Sequence, residues 1–261
     1  LFANILFASG SEVNVYSQRH YDSDKALFKK FEEKTGIKVN LITAKAEELV
    51  SRLSIEGANS PSDILITADI GNLYEAKERD LLQGVSSKTL EKNIPAHLRD
   101  EGGKWFAITK RARLFVYNPK TINPAHLDDY FSLTKPEFKG KVITRSSTNA
   151  YNKSLLASII AHHGEEKSLE FVKGLVNNFA RDPKGADKDQ IRAVASGEAD
   201  IAIVNSYYLG VMANSGDKVD EEIAKEVKVF FPAQKTTGAH INISGAGITK
   251  FAPNKENAIK L

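Results

Sequence analysis

Glu12-Val-Asn-Val-Tyr16, Ile37-Lys-Val-Asn-Leu-Ile42 and Ile64-Leu-Ile66 are three short runs rich in β-branched residues. Each has the length of a strand, and the first alternates polar and apolar side chains. After the first run, Asp22-Ser-Asp24 supplies N-cap chemistry. An amphipathic stretch through Leu27, Phe28 and Phe31 follows, and Gly36 closes it in the C′ position. Leu49, Val50 and Leu53 mark a second helix, and Ser62-Asp63 leads into the third run. This βαβαβ rhythm predicts an α/β protein with a parallel, helix-covered sheet.

Downstream, a helix around Asn72 to Lys77 gives way to a loop-rich passage ending at Gly102-Gly103. Trp105 to Tyr117 is mostly extended, yet it carries Lys110, Arg111 and Arg113. So basic a strand suits a crossover between two lobes, with its arginines facing a cleft. From Phe138 the pattern restarts. Lys141 to Thr144 reads as a strand, Arg145 to Tyr151 as a polar loop, and Asn152 to His163 as a helix ended by Gly164. Ser168 to Phe179 and Gln190 to Ser196 read as helices, the latter closed by Gly197. Ile201 to Val204 is a buried strand, and Val227 to Phe231 and His240 to Thr249 are late strands. Two α/β passages joined by extended segments predict two lobes, and clefts between lobes are common ligand sites. The boundaries expected are 11–109 with 232–261 for an N-terminal lobe and 110–231 for a C-terminal lobe.

Composition narrows the function. The 261 residues are 41% hydrophobic and 26% charged, with a net charge of +3 and no dense Lys/Arg block, so charge makes no case for nucleic acid. The absence of cysteine excludes thiolate metal sites, disulfides and Cys nucleophiles. A single Met makes a thioether copper site implausible. Leu1 to Gly10 reads either as the remnant of a signal peptide or as an opening strand. Asn254 to Leu261 starts a helical pattern and stops after about two turns, which suggests further C-terminal helices.

Chemistry gathers at strand ends. His20-Tyr21 follows the first strand, Tyr151 closes the loop after the Lys141 strand, and Tyr207-Tyr208 follows the Ile201 strand. Open α/β folds bind ligands at such carboxyl ends. Taken alone, Tyr207-Tyr208 reads as two half-buried aromatics. Were the imidazole and the four phenols to converge, the chemistry would narrow sharply. Phenolate is a hard anionic donor suited to a hard trivalent cation, and tyrosinate ligates ferric iron in other proteins. Four phenolates and a neutral His leave Fe(III) at −1, which Arg19, Arg111, Arg113 and Arg145 are available to offset.

At these residues the chain resembles the bacterial periplasmic ferric-ion-binding proteins, the substrate-binding subunits of iron(III) ABC importers. The likeness runs from Glu12 almost to the end. It is densest at Val15-Tyr-Ser-Gln-Arg-His-Tyr21, Trp105-Phe-Ala-Ile-Thr-Lys-Arg-Ala-Arg113, Ala150-Tyr-Asn152 and Val204-Asn-Ser-Tyr-Tyr208. The branch resembled uses one His and four Tyr, which nominates His20, Tyr21, Tyr151, Tyr207 and Tyr208 as ligands of Fe(3+). Another branch uses a Glu and an exogenous anion; Asp69 lies near that Glu position and is placed outside the ligand set. The resemblance implies the two-lobe, type II "Venus flytrap" fold with a central cleft that closes by hinge motion. It also implies a periplasmic monomer, not an enzyme, that delivers iron to an ABC transporter permease in the inner membrane. A bilobal binding protein for a small anion or organic solute is the alternative, with the arginines as ligands. A catalytic protein with His20 as base and Tyr21 as acid is a third reading.

Other residues have plainer readings. His162-His163 ends a helix, where imidazolium suits the dipole. His97 is read as local structure, and Tyr16, Tyr74, Tyr117 and Tyr130 as packing residues. Gly245-Ala-Gly247 lacks the helix and Lys of a phosphate loop.

Overall fold

The computed structural model describes residues 12–19 and 21–261. The readings of residues 1–10 and of His20 therefore lie outside the described residues. The chain divides into two compact units, Leu1–Lys110 with Ile243–Leu261, and Arg111–Asn242. The segment 232–242 belongs to the second unit.

In the first unit the expected rhythm appears as β1 (Glu12–Ser17), α1 (Asp22–Thr35), β2 (Lys38–Thr43), α2 (Ala46–Glu56), β3 (Ile64–Thr67) and α3 (Ile70–Glu78). The passage read as loop-rich holds a short β4 (Leu82–Gln83) and α4 (Lys88–Asn93) before the long β5 (Phe106–Tyr117). β1 pairs in parallel with β2 on one side and β3 on the other. Side chains alternate across this sheet as the two-residue period requires. Tyr16 and Leu65 pack with Leu49, Leu53 and Leu73 on one face, and Val13, Val15, Ile64 and Ile66 pack on the other.

One expectation needs correction here. Asp22 and Asp24 lie in the first turn of α1 and do not cap it. The N-cap position is Tyr21, which makes no side-chain cap bond. Acidic residues in a first turn still favour the helix through its dipole. Gly36 ends the helix as read, at φ 71°, with its N–H donating to the Glu32 carbonyl.

The second unit contains β6 (Val142–Ile143), α5 (Ala150–Asn177), α6 (Asp187–Ser196), β7 (Ile201–Asn205), α7 (Tyr207–Ala213), α8 (Lys218–Glu226) and β8 (Lys228–Phe230). β9 (Ile241–Thr249) then returns the chain to the first unit, where α9 (Lys255–Lys260) ends it. In the first unit β9 runs antiparallel to β3 and β4, so that sheet is mixed and not wholly parallel. In the second unit β7 sits between β5, antiparallel, and β6, parallel, with β8 on the far side of β5. The two helices read around Gly164 are one helical segment broken at that glycine, whose φ of 80° and ψ of 169° are non-helical.

The β5–β7 ladder positions the candidate site. Phe115, Tyr117, Ile201 and Ile203 face α5, and Leu114, Val116, Ala202 and Val204 face α6 and α8. Phe115, fully buried, meets Tyr130 edge-on at 5.7 Å and stacks on Phe230 at 6.1 Å. Burying a side chain of this size contributes about 1.5–3 kcal/mol. At its end the ladder turns polar, because its last pair is Arg113 with Asn205. Arg113 is 2% exposed and lies within the second unit. A buried guanidinium demands a partner, and finding that partner leads to the site.

Candidate metal centre

Ser206 makes the bend that carries β7 into α7. Its N–H donates to the Ala112 carbonyl at 2.9 Å, and its Oγ accepts from the Ala112 N–H at 3.2 Å. This double tie to β5 starts α7 at once, so Tyr207 and Tyr208 occupy its first two positions. Their rings stack at 4.2 Å with 29° between planes. Adjacent side chains diverge on a regular element; the bend lets these two lie together.

Tyr151 arrives from another direction. It sits in the first turn of α5, where the Asn149 side chain caps the helix by accepting from the Tyr151 N–H at 3.0 Å. Its hydroxyl lies 3.5 Å from the Tyr207 hydroxyl. The positive end of a helix dipole favours a negative charge in this first turn. Three of the nominated phenols therefore converge within the second unit.

Around them lies a cationic bed. The guanidinium carbons of Arg111, Arg145 and Arg113 stand 5.1, 5.5 and 6.0 Å from the Tyr151 ring centre. Arg113 and Arg145 share one carboxylate, that of Asp187, at 2.5 and 2.7 Å. Asp187 thus offsets part of the positive charge that Arg113 and Arg145 bring beneath Tyr151. Arg113 also donates to Asn152 Oδ1 at 2.6 Å, holding the helix turn that bears Tyr151. Among the described residues, no group of three or more His, Asp or Glu side chains is placed to hold a metal.

Burial governs the proton affinity of the phenols. The Tyr208 hydroxyl is pushed up to about 12, first by burial; its hydrogen bond with Tyr207 opposes the rise, Tyr151 and the Asp187 carboxylate add to it, and Arg145 opposes it. Tyr207 is raised further, again by burial first and then by its hydroxyl contacts with Tyr151 and Tyr208. At neutral pH both are phenols. Only a strong local cation can ionise them together, and a trivalent metal supplies that charge. Converging hard oxygen donors in a positively charged bed fit ferric iron and do not fit a soft or thiophilic metal.

The other nominated residues lie in the first unit. Tyr21 is 42% exposed, with the Arg19 guanidinium 5.2 Å from its ring centre. Arg19 is held by Asp24 through two hydrogen bonds, of 2.9 and 2.6 Å. Asp69 caps α3 by accepting from the Gly71 N–H at 2.8 Å. Of the tyrosines set aside, Tyr16 donates to Glu56, and Tyr130 donates to the Arg113 carbonyl at 2.6 Å. His163 packs edge-on against Phe131.

Sequence reasoning missed Asp187, Asn152 and His240. His240 Nε2 lies 3.1 Å from Ser154 Oγ. Burial, then the positive charges of Arg111, Arg113 and His162, lower its pKa to about 4. A histidine opening a strand and an aspartate opening a helix carry no local signal of such partners.

Comparison with known proteins agrees with this architecture. Residues 16–261 match the family described as bacterial extracellular solute-binding protein. The chain is 50% identical to iron uptake protein A1 of a Synechocystis strain, covering 95% of this chain and 69% of that protein. The ferric binding protein from Campylobacter jejuni is 53% identical with a TM-score of 0.89, over 95% of this chain and 79% of that one. A Trichodesmium IdiA (FutA) structure in complex with iron and citrate ligands is 48% identical, with a TM-score of 0.90 over the same shares. The fold is that of the type II periplasmic binding proteins. With a family model spanning nearly its whole length, the chain belongs to the bacterial extracellular solute-binding proteins.

Proposed function

We propose that this protein binds ferric iron as its cargo and hands it to an ABC-type permease for import. Tyr151, Tyr207 and Tyr208 bind the ion as phenolates, and His20 and Tyr21 of the first unit supply the remaining protein ligands. The observation that carries this reading is the convergence of three phenols, with a 3.5 Å hydroxyl pair and a 4.2 Å ring stack, over three guanidiniums. The names of the relatives support it: one is an iron uptake protein and another a ferric binding protein. Family membership makes it a solute carrier rather than an enzyme, and such carriers work in the periplasm in partnership with a permease.

The alternative, an anion or organic solute held by the arginines, is less well supported. Arg113 and Arg145 each direct a donor to Asp187, and Arg113 another to Asn152, so part of their hydrogen-bonding capacity is already committed within the protein. Dialysis of the protein against ferric citrate, followed by metal analysis, tests the reading. A single ferric ion retained per chain, not displaced by excess zinc, is the result expected. Retention of no iron, or equal retention of zinc, overturns it.

A further inference from the structure

Asp187 has no exposed side-chain surface, and its two oxygens tie together four parts of the second unit. Oδ1 accepts from Arg113 Nη1 at 2.5 Å and from the Asn205 backbone N–H at 2.9 Å, while Oδ2 accepts from Arg145 Nη1 at 2.7 Å. The Asn205 bond fixes the end of β7, from which the chain passes through Ser206 to Tyr207 and Tyr208. Through Arg113, the same carboxylate reaches Asn152 Oδ1 at 2.6 Å, in the turn beside Tyr151. Asn152 Nδ2 in turn donates to the Arg145 carbonyl at 2.8 Å, which closes the circuit. The segments that carry all three phenols therefore share one buried anion.

We propose that Asp187 is the positioning residue of the metal centre, holding both phenol-bearing segments in register and offsetting part of the positive charge beneath them. The proposal rests on the reading of Tyr151, Tyr207 and Tyr208 as ferric ligands. Asp187 touches none of the three hydroxyls. It acts through Arg113, Arg145 and the Asn205 N–H, and through its charge. A carboxylate in this place therefore does two separable things: its shape sets geometry and its charge sets the field at the metal.

The separation makes the test. Asp187→Asn keeps the shape and removes the charge, Asp187→Glu keeps the charge and moves it, and Arg145→Gln removes one cation while leaving Arg113 paired. Each protein is loaded from ferric citrate, and the Fe(III)/Fe(II) couple is titrated by following the visible phenolate band. A more positive bed favours the ion that has gained an electron. Asp187→Asn should thus lose about tenfold of its preference for Fe(III) over Fe(II), a rise of 59 mV for one electron. Arg145→Gln should shift the couple in the opposite direction by a comparable factor. Asp187→Glu should keep the wild-type potential but bind iron more weakly.

A merely structural Asp187 predicts otherwise: both charge variants would weaken binding alike and leave the couple unmoved. An iron-loaded Asp187→Asn with the wild-type potential, or shifts of the same sign in it and Arg145→Gln, overturns the proposal. If Asp187→Asn does not fold, Arg145→Gln and Asp187→Glu decide it by the same criteria. Failure of the ferric reading itself looks different, because the wild-type protein would then show no band at all.

Discussion

Removal of the Tyr208 hydroxyl changes the pH dependence of iron binding in a way that follows from the site. With its pKa pushed up to about 12, the phenol holds its proton throughout the range from pH 5 to 8. A ferric ion must expel that proton, and the one on Tyr207, to gain its oxygen ligands. Apparent affinity therefore rises with pH, and its logarithm has a slope equal to the number of phenol protons released. At pH 7 ionising Tyr208 costs at most about 7 kcal/mol, five units at 1.36 kcal/mol each, of which burial and its neighbours add about 3. The metal–oxygen bond must exceed that cost. Tyr208→Phe removes the bond and the proton together, so the slope falls by one and the wild-type advantage shrinks tenfold for each unit of acidification. At pH 7 the variant should bind at least about 100-fold more weakly, since even groups behind metal ligands cost 10–100-fold. Competition against a chelator of known pH behaviour, with proton release read by an indicator dye, measures both quantities. An unchanged slope in Tyr208→Phe, or release of fewer than two protons by the wild-type protein, refutes the reasoning.

His240 makes the second unit acid-sensitive. Its folded pKa near 4 lies below the ordinary 6.5, so stability is lost as pH falls from 6.5 to 4; linkage puts the loss between pH 7 and 5 at about 2 kcal/mol. Urea unfolding at both pH values should show that difference in the wild type and not in His240→Gln; equal slopes contradict the assignment. Arg113→Ala leaves Asp187 buried without its main partner and should cost about 3–5 kcal/mol in the same assay. A loss below 1 kcal/mol would mean that the pair is replaceable. Gly245→Ala brings a methyl to 2.7 Å from the Phe106 carbonyl oxygen and from Leu73 Cδ1, for an expected loss of about 1–3 kcal/mol in thermal unfolding. A melting temperature at or above that of the wild type would show that the strand gives way freely.

How far the site was legible depends on the reach of each interaction. Ile201 to Val204 is legible as a buried strand because its β-branched run is local, and its end at Asn205 places the two tyrosines. Tyr151 was legible as a residue at a strand-to-helix passage, although it lies in the helix and not in the loop. The burial of Arg113 was not legible because its partner, Asp187, lies 74 positions away, and no local pattern announces that pairing. Arg145 is likewise bound to Asp187 across 42 positions. The antiparallel pairing of β9 with β3 and β4 has no local signal either: a βαβαβ rhythm predicts parallel neighbours, and a strand returning from another unit can pair either way. β4 and α4 are too short, at two and six residues, to leave a periodic signal. The positions of Tyr151, Tyr207 and Tyr208 beside strand ends, by contrast, follow from local sequence alone.

The central claim is that the stacked tyrosines and Tyr151 are ferric ligands. Titration of the wild-type, Tyr207→Phe and Tyr208→Phe proteins with ferric citrate, followed by visible absorption, tests it most directly. The account predicts an orange-to-red phenolate-to-iron band that saturates at one equivalent in the wild type and is shifted or weakened in each variant. A colourless wild-type titration, or the same band in all three proteins, contradicts it.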